Sequence, residues 1–597
     1  MSSQKKKGAT PEPTELQQVV RDQRPYLMQA ARLSLVIGLL MLVPSWYMFE
    51  VYGRVLNSRN YATLGWLTVA VIGAYVVLEF LEMARSRALA AAAARVDERL
   101  RLRLFDVAFE ASLKKTPGGT VQVFADLRTL RDFIPSVPVN AFLDLPAAVL
   151  CLVFLMLLSP WLGLLALVGA LLQAALGWMT ERRTMPLLTE AQQSSIEAQQ
   201  FAAGAMRNAQ VIESMGMLGR LYERFMQRQK RFLTRQAQAS DAAAFTTTGA
   251  KLIQTMQGSV LLGGAAYLTL HNALWGGAAM LIVASILGGR ALAPAVQLVS
   301  QWRTVVLARD SWRRLDALLD KYPVVEPGMP LPAPKGVLTV EGVVASAPGG
   351  SVPILKGVGF AAVPGEVTII IGPSASGKTT LARLIMGLWP AAGGKVRLDG
   401  ADVHAWHKSQ LGPHLGYLPQ GVELFDGTVA ENVARFGSVD MARVRDATDR
   451  VGITELIEAL PQGFDTRIGE EGAVLSGGQR QRLGLARAIY GDPKLIVLDE
   501  PNASLDEAGE KQLVTLLNDL KARGSTVLAI SHRTTLLPAA DKILLLNDGQ
   551  VAAFGPRDEV LAKLKAANEQ ARAQAAQAEQ KRMAAGVRPQ ALPGAAP

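Results

Sequence analysis

The sequence predicts a multi-domain chain. An α-helical membrane domain of six helices spans residues 31–322. An α/β domain built around a phosphate-binding loop follows at 337–562. Three observations predict this. Six apolar runs, each close to the ~20 residues that cross a bilayer, recur between residues 33 and 298. A proline-rich stretch at 323–336 then ends the membrane pattern. Beyond it, short β-rich runs alternate with helical segments, and one strand leads into a glycine-rich loop ending in Lys378-Thr379.

Composition narrows the class first. The chain has 597 residues, 50% of them apolar and only 19% charged, against the usual ~25%. Disordered, collagenous and disulfide-framework proteins are excluded. The single cysteine, Cys151, sits in an apolar run and reads as a buried, inert thiol. The net charge of +11 is unevenly placed. Residues 1–322 hold 34 Lys/Arg and 22 Asp/Glu, whereas 323–597 hold 28 and 29. All the excess lies in the apolar half. That argues against a nucleic-acid-binding domain and for membrane topology signals.

The spans are expected near 33–52, 61–83, 139–158, 161–180, 252–270 and 275–296. Ser159-Pro160 splits an otherwise continuous run into a helical hairpin. Gly263-Gly264 and Gly276-Gly277 are expected to permit close helix packing. The segments 84–138 and 181–250 carry ten and nine Lys/Arg, while the other connections are short. The positive-inside rule places both long segments and both termini in the cytoplasm. Residues 84–115 and 185–240 read as helices continuing out of the membrane. Glu79, Glu82 and Asp144 read as helix-end charges or interhelical partners rather than as a site.

Residues 1–30 precede the first span as a cytoplasmic segment. The stretch 323–336, PVVEPGMPLPAPKG, holds five prolines and reads as a semi-rigid spacer. Residues 563–597 read as a surface helix and a disordered tail.

The chemistry starts at Val367–Ile371, a buried strand. Gly372, Pro373, Ser374, Ala375, Ser376, Gly377, Lys378 and Thr379 follow, and a helix is expected from Thr380. Glycines let backbone N–H groups approach phosphate oxygens, and the helix N-terminus favours an anion. Lys378 supplies a cation, and the Thr379 hydroxyl can coordinate Mg2+. A second strand, Leu495–Leu498, ends in Asp499-Glu500. Asp499 can hold Mg2+ or its water, and Glu500 can polarise an attacking water.

Leu475-Ser476-Gly477-Gly478-Gln479 is the decisive motif. The chain resembles the ATP-binding cassette (ABC) family, whose signature this is, across about residues 336–560. The resemblance implies ATP and Mg2+. It makes Gln420 the Q-loop glutamine, a Mg2+ ligand, and places Asp506 in the D-loop. His532, after Thr526–Ile530, becomes the switch histidine at the γ-phosphate, catalytic together with Glu500. It also implies that Ser476–Gln479 of one copy complete the phosphate site of another. One membrane domain and one cassette then read as a homodimerising half-transporter. The family's adenine-stacking aromatic is missing from 338–348, LTVEGVVASAP.

Fused membrane and cassette domains in this order resemble exporters. Gly469-Glu-Glu-Gly472 and Leu424–Asn432 resemble exporter motifs. Phe49–Asn60, FEVYGRVLNSRN, resembles a segment of bacterial type I protein-secretion exporters, with Gly53 where the family has Asp. The short lead before the first span leaves no room for an N-terminal peptidase domain. The resemblance is therefore to the class that exports metalloproteases and related proteins. It implies a multi-pass protein of the bacterial inner membrane, surrounded by membrane lipid. Its partners would be a periplasmic adaptor, an outer-membrane tunnel and an unfolded polypeptide with a C-terminal secretion signal. Export of lipids or amphiphilic small molecules is the alternative, and a membrane-anchored ATPase in assembly or signalling a more distant one.

Overall fold

The computed structural model describes residues 13–114, 122–274, 277–324, 328–348, 350, 352–469, 475–566 and 569. The chain divides into two compact units, Met1–Val324 and Val325–Pro597.

The first unit is helical among its described residues. Helix Tyr61–Leu113 has 53 residues. At ~1.5 Å per residue it is about 80 Å long, far more than a bilayer needs. Helices Pro160–Arg207 and Leu218–Leu270 are of similar length. All three continue beyond the apolar runs as the sequence expects, and the short helix Ala209–Ser214 lies between the last two. Asn60 starts the long helix Tyr61–Leu113. Its side chain accepts from the N–H groups of Ala62 and Thr63, while Arg59 just before it takes a left-handed φ of 51°.

Among the described residues, four helices are long and apolar enough to cross a membrane, and Val137–Leu143 with Leu145–Leu158, bent by 43°, makes a fifth if the bent pair is one span. The bend falls at Asp144, one residue before the helix that carries Pro146 in its first turn. The predicted run 252–270 is helical but is not apolar enough to join them. The cause is its polar residues, of which Gln254 and Gln257 face neighbouring helices. Gln254 Nε2 donates to Gly289 O at 3.2 Å, and Gln257 Nε2 to Ala166 O at 3.5 Å. Trp66, Phe80, Leu157 and Trp161 are exposed, as a lipid-facing surface requires.

Of the glycines expected to allow close helix packing, Gly264 does so, a Cβ there meeting Leu165 Cδ1 at 3.3 Å and Leu162 Cδ2 at 3.5 Å, and other glycines pack more tightly still. No neighbour lies within 4 Å of a Cβ built on Gly263 or Gly277, and Gly276 lies outside the described residues. A Cβ on Gly38 would meet Ala147 Cβ at 2.4 Å, and one on Gly288 would meet Leu261 Cδ1 at 2.0 Å. Cys151 is free and buried, within an apolar cluster that includes Leu155, Leu162, Leu261 and Leu287. Asp144 pairs with Arg85 at 2.6 Å, and Arg85 also donates to Ser34 Oγ at 3.1 Å.

The second unit has two main sheets. Four antiparallel strands run in the order Pro353–Ala362, Leu338–Ser346, Gly393–Leu398, Ala401–Asp402. Six strands run in the order Gln550–Pro556, Lys542–Asn547, Val367–Ile371, Thr526–Ile530, Leu495–Asp499, Leu415–Leu418. All pairs in this sheet are parallel except the first. Its central strands are buried along nearly their whole length, which explains their unbroken runs of Val, Ile and Leu. Their C-terminal ends are where an open parallel sheet binds ligands. Val367–Ile371, Leu495–Asp499 and Thr526–Ile530 lie side by side there, so Gly372, Glu500 and the residues before His532 share one edge.

The linker end is tied down. The N–H groups of Lys335, Gly336 and Val337 converge on the Asp399 carboxylate at 2.6, 3.1 and 3.0 Å. The expected tail from 570 onward lies outside the described residues.

Candidate active site

The loop after Val367–Ile371 is shaped by two glycines. Gly377 has φ +98°, which favours glycine, and N-caps the helix Lys378–Ile385. The helix therefore begins two residues earlier than expected. A Cβ on Gly372 would lie 2.0 Å from Leu546 O, so no side chain fits there. Lys378 folds over the loop. Its Nζ donates to Gly372 O at 2.9 Å and Pro373 O at 2.7 Å, and reaches Ser376 Oγ at 3.5 Å. Ser376, Lys378 and Thr380 are buried. Burial lowers the Lys378 pKa, opposed by the nearby charges of Glu500 and Asp499. Ala375 takes a left-handed φ of 65°, and Ser374 is exposed.

Asp499 ends its strand fully buried, and neither carboxylate oxygen has a partner at hydrogen-bonding geometry. Burial raises its pKa, while the neighbouring Thr379 hydroxyl lowers it. A buried carboxylate with two free oxygens beside a hydroxyl is costly alone and suits a hard cation. No cluster of three or more His, Cys, Asp or Glu able to hold a metal occurs among the described residues. Thr379 and Asp499 are thus the residues here that could hold a divalent cation, with Gln420 close to Glu500.

Glu500 is held from several sides. Its backbone adopts a left-handed φ of 52°, strained for a residue other than glycine, and its N–H donates to Ile530 O at 3.0 Å. Gln420 Nε2 donates to Glu500 Oε2 at 3.2 Å. His532 Nε2 lies 3.3 Å from Glu500 Oε1. Residues from four separate stretches, Gly372–Thr380, Gln420, Asp499-Glu500 and His532, are therefore gathered at one sheet edge.

The signature lies in a second group. Ser476 N-caps helix Gly477–Ile489 in a capping box with Gln479, closed at 3.3 Å and 2.8 Å. A Cβ on Gly478 would meet Ser504 O at 3.0 Å. Asp506 caps the helix Glu507–Ala522, accepting from Gly509 N and Arg482 Nη2, each at 2.9 Å. The Gly509 N–H is the main reason that its carboxyl sits below the usual range, with Arg482 adding to it. No hydrogen bond joins Ser476–Gln479 to Gly372–Thr380 among the described residues. Of the segment Gly469–Gly472, only Gly469 lies within the described residues.

Sequence reasoning missed Gln481. It is 4% exposed, and its Nε2 donates to Glu500 O at 3.3 Å and Pro501 O at 3.1 Å. Only its position two residues after the signature hinted at it.

Two family models match this architecture. Residues 30–283 match the ABC transporter transmembrane region, and 355–503 match the ABC transporter family. The type I secretion system ATP-binding protein PrsD of Rhizobium meliloti is 37% identical over 548 residues, covering 91% of this chain and 94% of that one. The chain belongs to the ABC transporters, among the type I secretion ATP-binding proteins. It is an ATP-hydrolysing membrane transporter of the exporter kind. The ATP-dependent lipid A-core flippase of Cupriavidus pinatubonensis is 40% identical, but over 246 residues, 40% of this chain and 41% of the flippase. A bacterial Atm1-family ABC exporter solved with ATP bound has the same fold. It matches at a TM-score of 0.80 and 21% identity, over 90% of this chain and 96% of that one.

Proposed function

We propose that this exporter works as a homodimer in the bacterial inner membrane, with both termini cytoplasmic. Its cargo is an unfolded polypeptide with a C-terminal secretion signal. A periplasmic adaptor and an outer-membrane tunnel complete the route. The likeness to a type I secretion protein through membrane domain and cassette alike carries this reading. The flippase likeness covers less than half of either chain and favours the shared engine. It keeps lipid export as the second reading.

The hydrolytic chemistry follows from the gathered residues. The N–H groups of Gly372–Thr380 and the Lys378 ammonium bind the phosphates of ATP. Thr379, Asp499 and Gln420 would hold Mg2+, which would neutralise developing phosphate charge. Glu500 orients the attacking water and accepts its proton, with its carboxylate aimed by Gln420 and His532. His532 turns to the γ-phosphate when the site closes. Ser476, Gly477 and Gly478 of a second copy close the site, with the D-loop around Asp506 beside them. Closure of two cassettes and its release after hydrolysis drive the membrane helices between conformations.

The test is ATPase activity of the purified protein in lipid nanodiscs, with and without C-terminal segments of candidate secreted polypeptides. A rate change with the segment, absent in Glu500→Gln, supports polypeptide export. A response only to lipids or small amphiphiles moves the cargo to the second reading and leaves the engine standing.

A further inference from the structure

The left-handed backbone at Glu500 raises a physical question: what holds it. A non-glycine residue at φ 52° stays there only where its surroundings over-determine it. The Glu500 N–H is fixed by Ile530 O. On the other side, the carbonyls of Glu500 and Pro501 both point at one group, the Gln481 amide. That amide comes from a different element, the helix Gly477–Ile489. Gln481 is buried, so no water competes for its donors. A primary amide has two N–H donors on one nitrogen, and two adjacent carbonyls use both.

We propose that Gln481 is a positioning residue for hydrolysis. It clamps the two peptide carbonyls after Asp499 and so sets the direction of the Glu500 carboxylate. The inference rests on the reading of Glu500 as the residue that orients water. It goes beyond that reading by placing control of Glu500 in the helix that begins at the signature serine. Ser476 caps this helix, and Gln481 lies about one and a half turns further along it. A rigid displacement of the signature helix therefore moves the Glu500 peptide directly. Whatever Ser476 and the backbone of Gly477 and Gly478 bind is felt at this chain's own catalytic carboxylate, without passing through the phosphate loop.

The chemistry of the clamp gives a test that a packing role does not share. Gln481→Met keeps the length and removes both donors. Gln481→Glu keeps the length and has a donor only while its carboxyl is protonated. A carboxyl buried against two carbonyls has a raised pKa, so it loses its proton within the measurable range above neutral.

The experiment uses the full-length protein in nanodiscs. It measures kcat and KM for ATP and binding of a fluorescent ATP analogue. The variants are Gln481→Met, Gln481→Glu and Glu500→Gln. The expected result is a kcat about 10–100-fold down in Gln481→Met, the scale of a small misplacement of a catalytic group, with KM and analogue binding within about threefold. The ratio of Gln481→Glu activity to wild type should rise as pH falls from about 9.5 to 6, while the Gln481→Met ratio stays flat. Wild-type kcat in Gln481→Met overturns the proposal, as does a flat ratio for Gln481→Glu. Equal loss of kcat and of analogue binding in Gln481→Met also overturns it, because Gln481 would then only hold the fold. If Glu500→Gln itself hydrolyses ATP at the wild-type rate, the reading of Glu500 fails, an outcome distinct from a failure of Gln481 alone.

Discussion

Gln420 and His532 take opposite oxygens of one carboxylate. Gln420 Nε2 meets Glu500 Oε2 at 3.2 Å, and His532 Nε2 lies 3.3 Å from Glu500 Oε1. The two residues come from separate strand ends, 112 positions apart in the chain. The carboxylate between them is therefore aimed by the sheet and not by its own rotamer. Glu500→Gln keeps the size and the Gln420 neighbour but removes the proposed base. Its steady-state ATPase should fall by at least about 100-fold, with ATP binding retained. His532→Ala should leave binding intact and lower kcat by less, because the base stays in place. Parallel ATPase and nucleotide-binding assays check both. A rate in Glu500→Gln within about fivefold of wild type would remove Glu500 from the reaction.

The phosphate loop predicts a sharp steric effect. A methyl group on Gly372 would lie 2.0 Å from the Leu546 carbonyl, a contact with backbone that no rotamer relieves. Gly372→Ala must push the loop away from strand Lys542–Asn547 or deform both. ATP affinity should fall by at least about tenfold, and the melting temperature of the cassette should drop by several degrees, as ~1 kcal/mol or more of strain implies. Scanning calorimetry and binding of a fluorescent ATP analogue measure the two effects.

In the membrane unit, Arg85 and Asp144 form an ion pair at 2.6 Å with side chains 9% and 18% exposed. Removing one partner strands the other's charge in a poorly solvated place. Arg85→Ala or Asp144→Ala should destabilise the protein by about 3 kcal/mol, and the double variant should recover part of the loss. Thermal unfolding in detergent, run as a double-mutant cycle, tests this. Additive losses would mean that the two residues act independently.

The legible features and the hidden ones differ in kind. Gly372–Thr379 and Leu475–Gln479 are each contiguous in the chain, and a local pattern betrays them. The strands Val367–Ile371, Leu495–Asp499 and Thr526–Ile530 show as apolar runs because both faces of their sheet are covered. The roles of Gln481, Arg85, Gly38 and Gly288 depend on which side chain of another element lies opposite, and no local pattern encodes that. Asp144 was visible as a charge in an apolar region, but its partner was not. The helix carrying 252–270 reads as less apolar than its neighbours for the same reason: Gln254 and Gln257 donate to backbone carbonyls of other helices.

Lys408 gives the cassette a pH dependence of predictable sign. Its Nζ donates to Val403 O at 2.7 Å and Met386 O at 3.2 Å. Burial lowers its pKa from the ordinary 10.5 to about 8, with Asp402 opposing. Below pH 8 the lysine is protonated both folded and unfolded, and the folded state bears the cost of a buried cation. Between about 8 and 10.5 the folded form has lost the proton and the unfolded form has not, so the unfolded state binds more protons and stability rises with pH. Lys408→Met removes this titration. The melting temperature of the wild type minus that of Lys408→Met should therefore increase from pH 7 to pH 10, whatever its starting sign. The starting sign is set by two opposing effects, the buried charge removed and the two carbonyls left without a donor. The slope depends on the charge alone, so a difference that stays level across this range would show that Lys408 titrates as an ordinary exposed lysine.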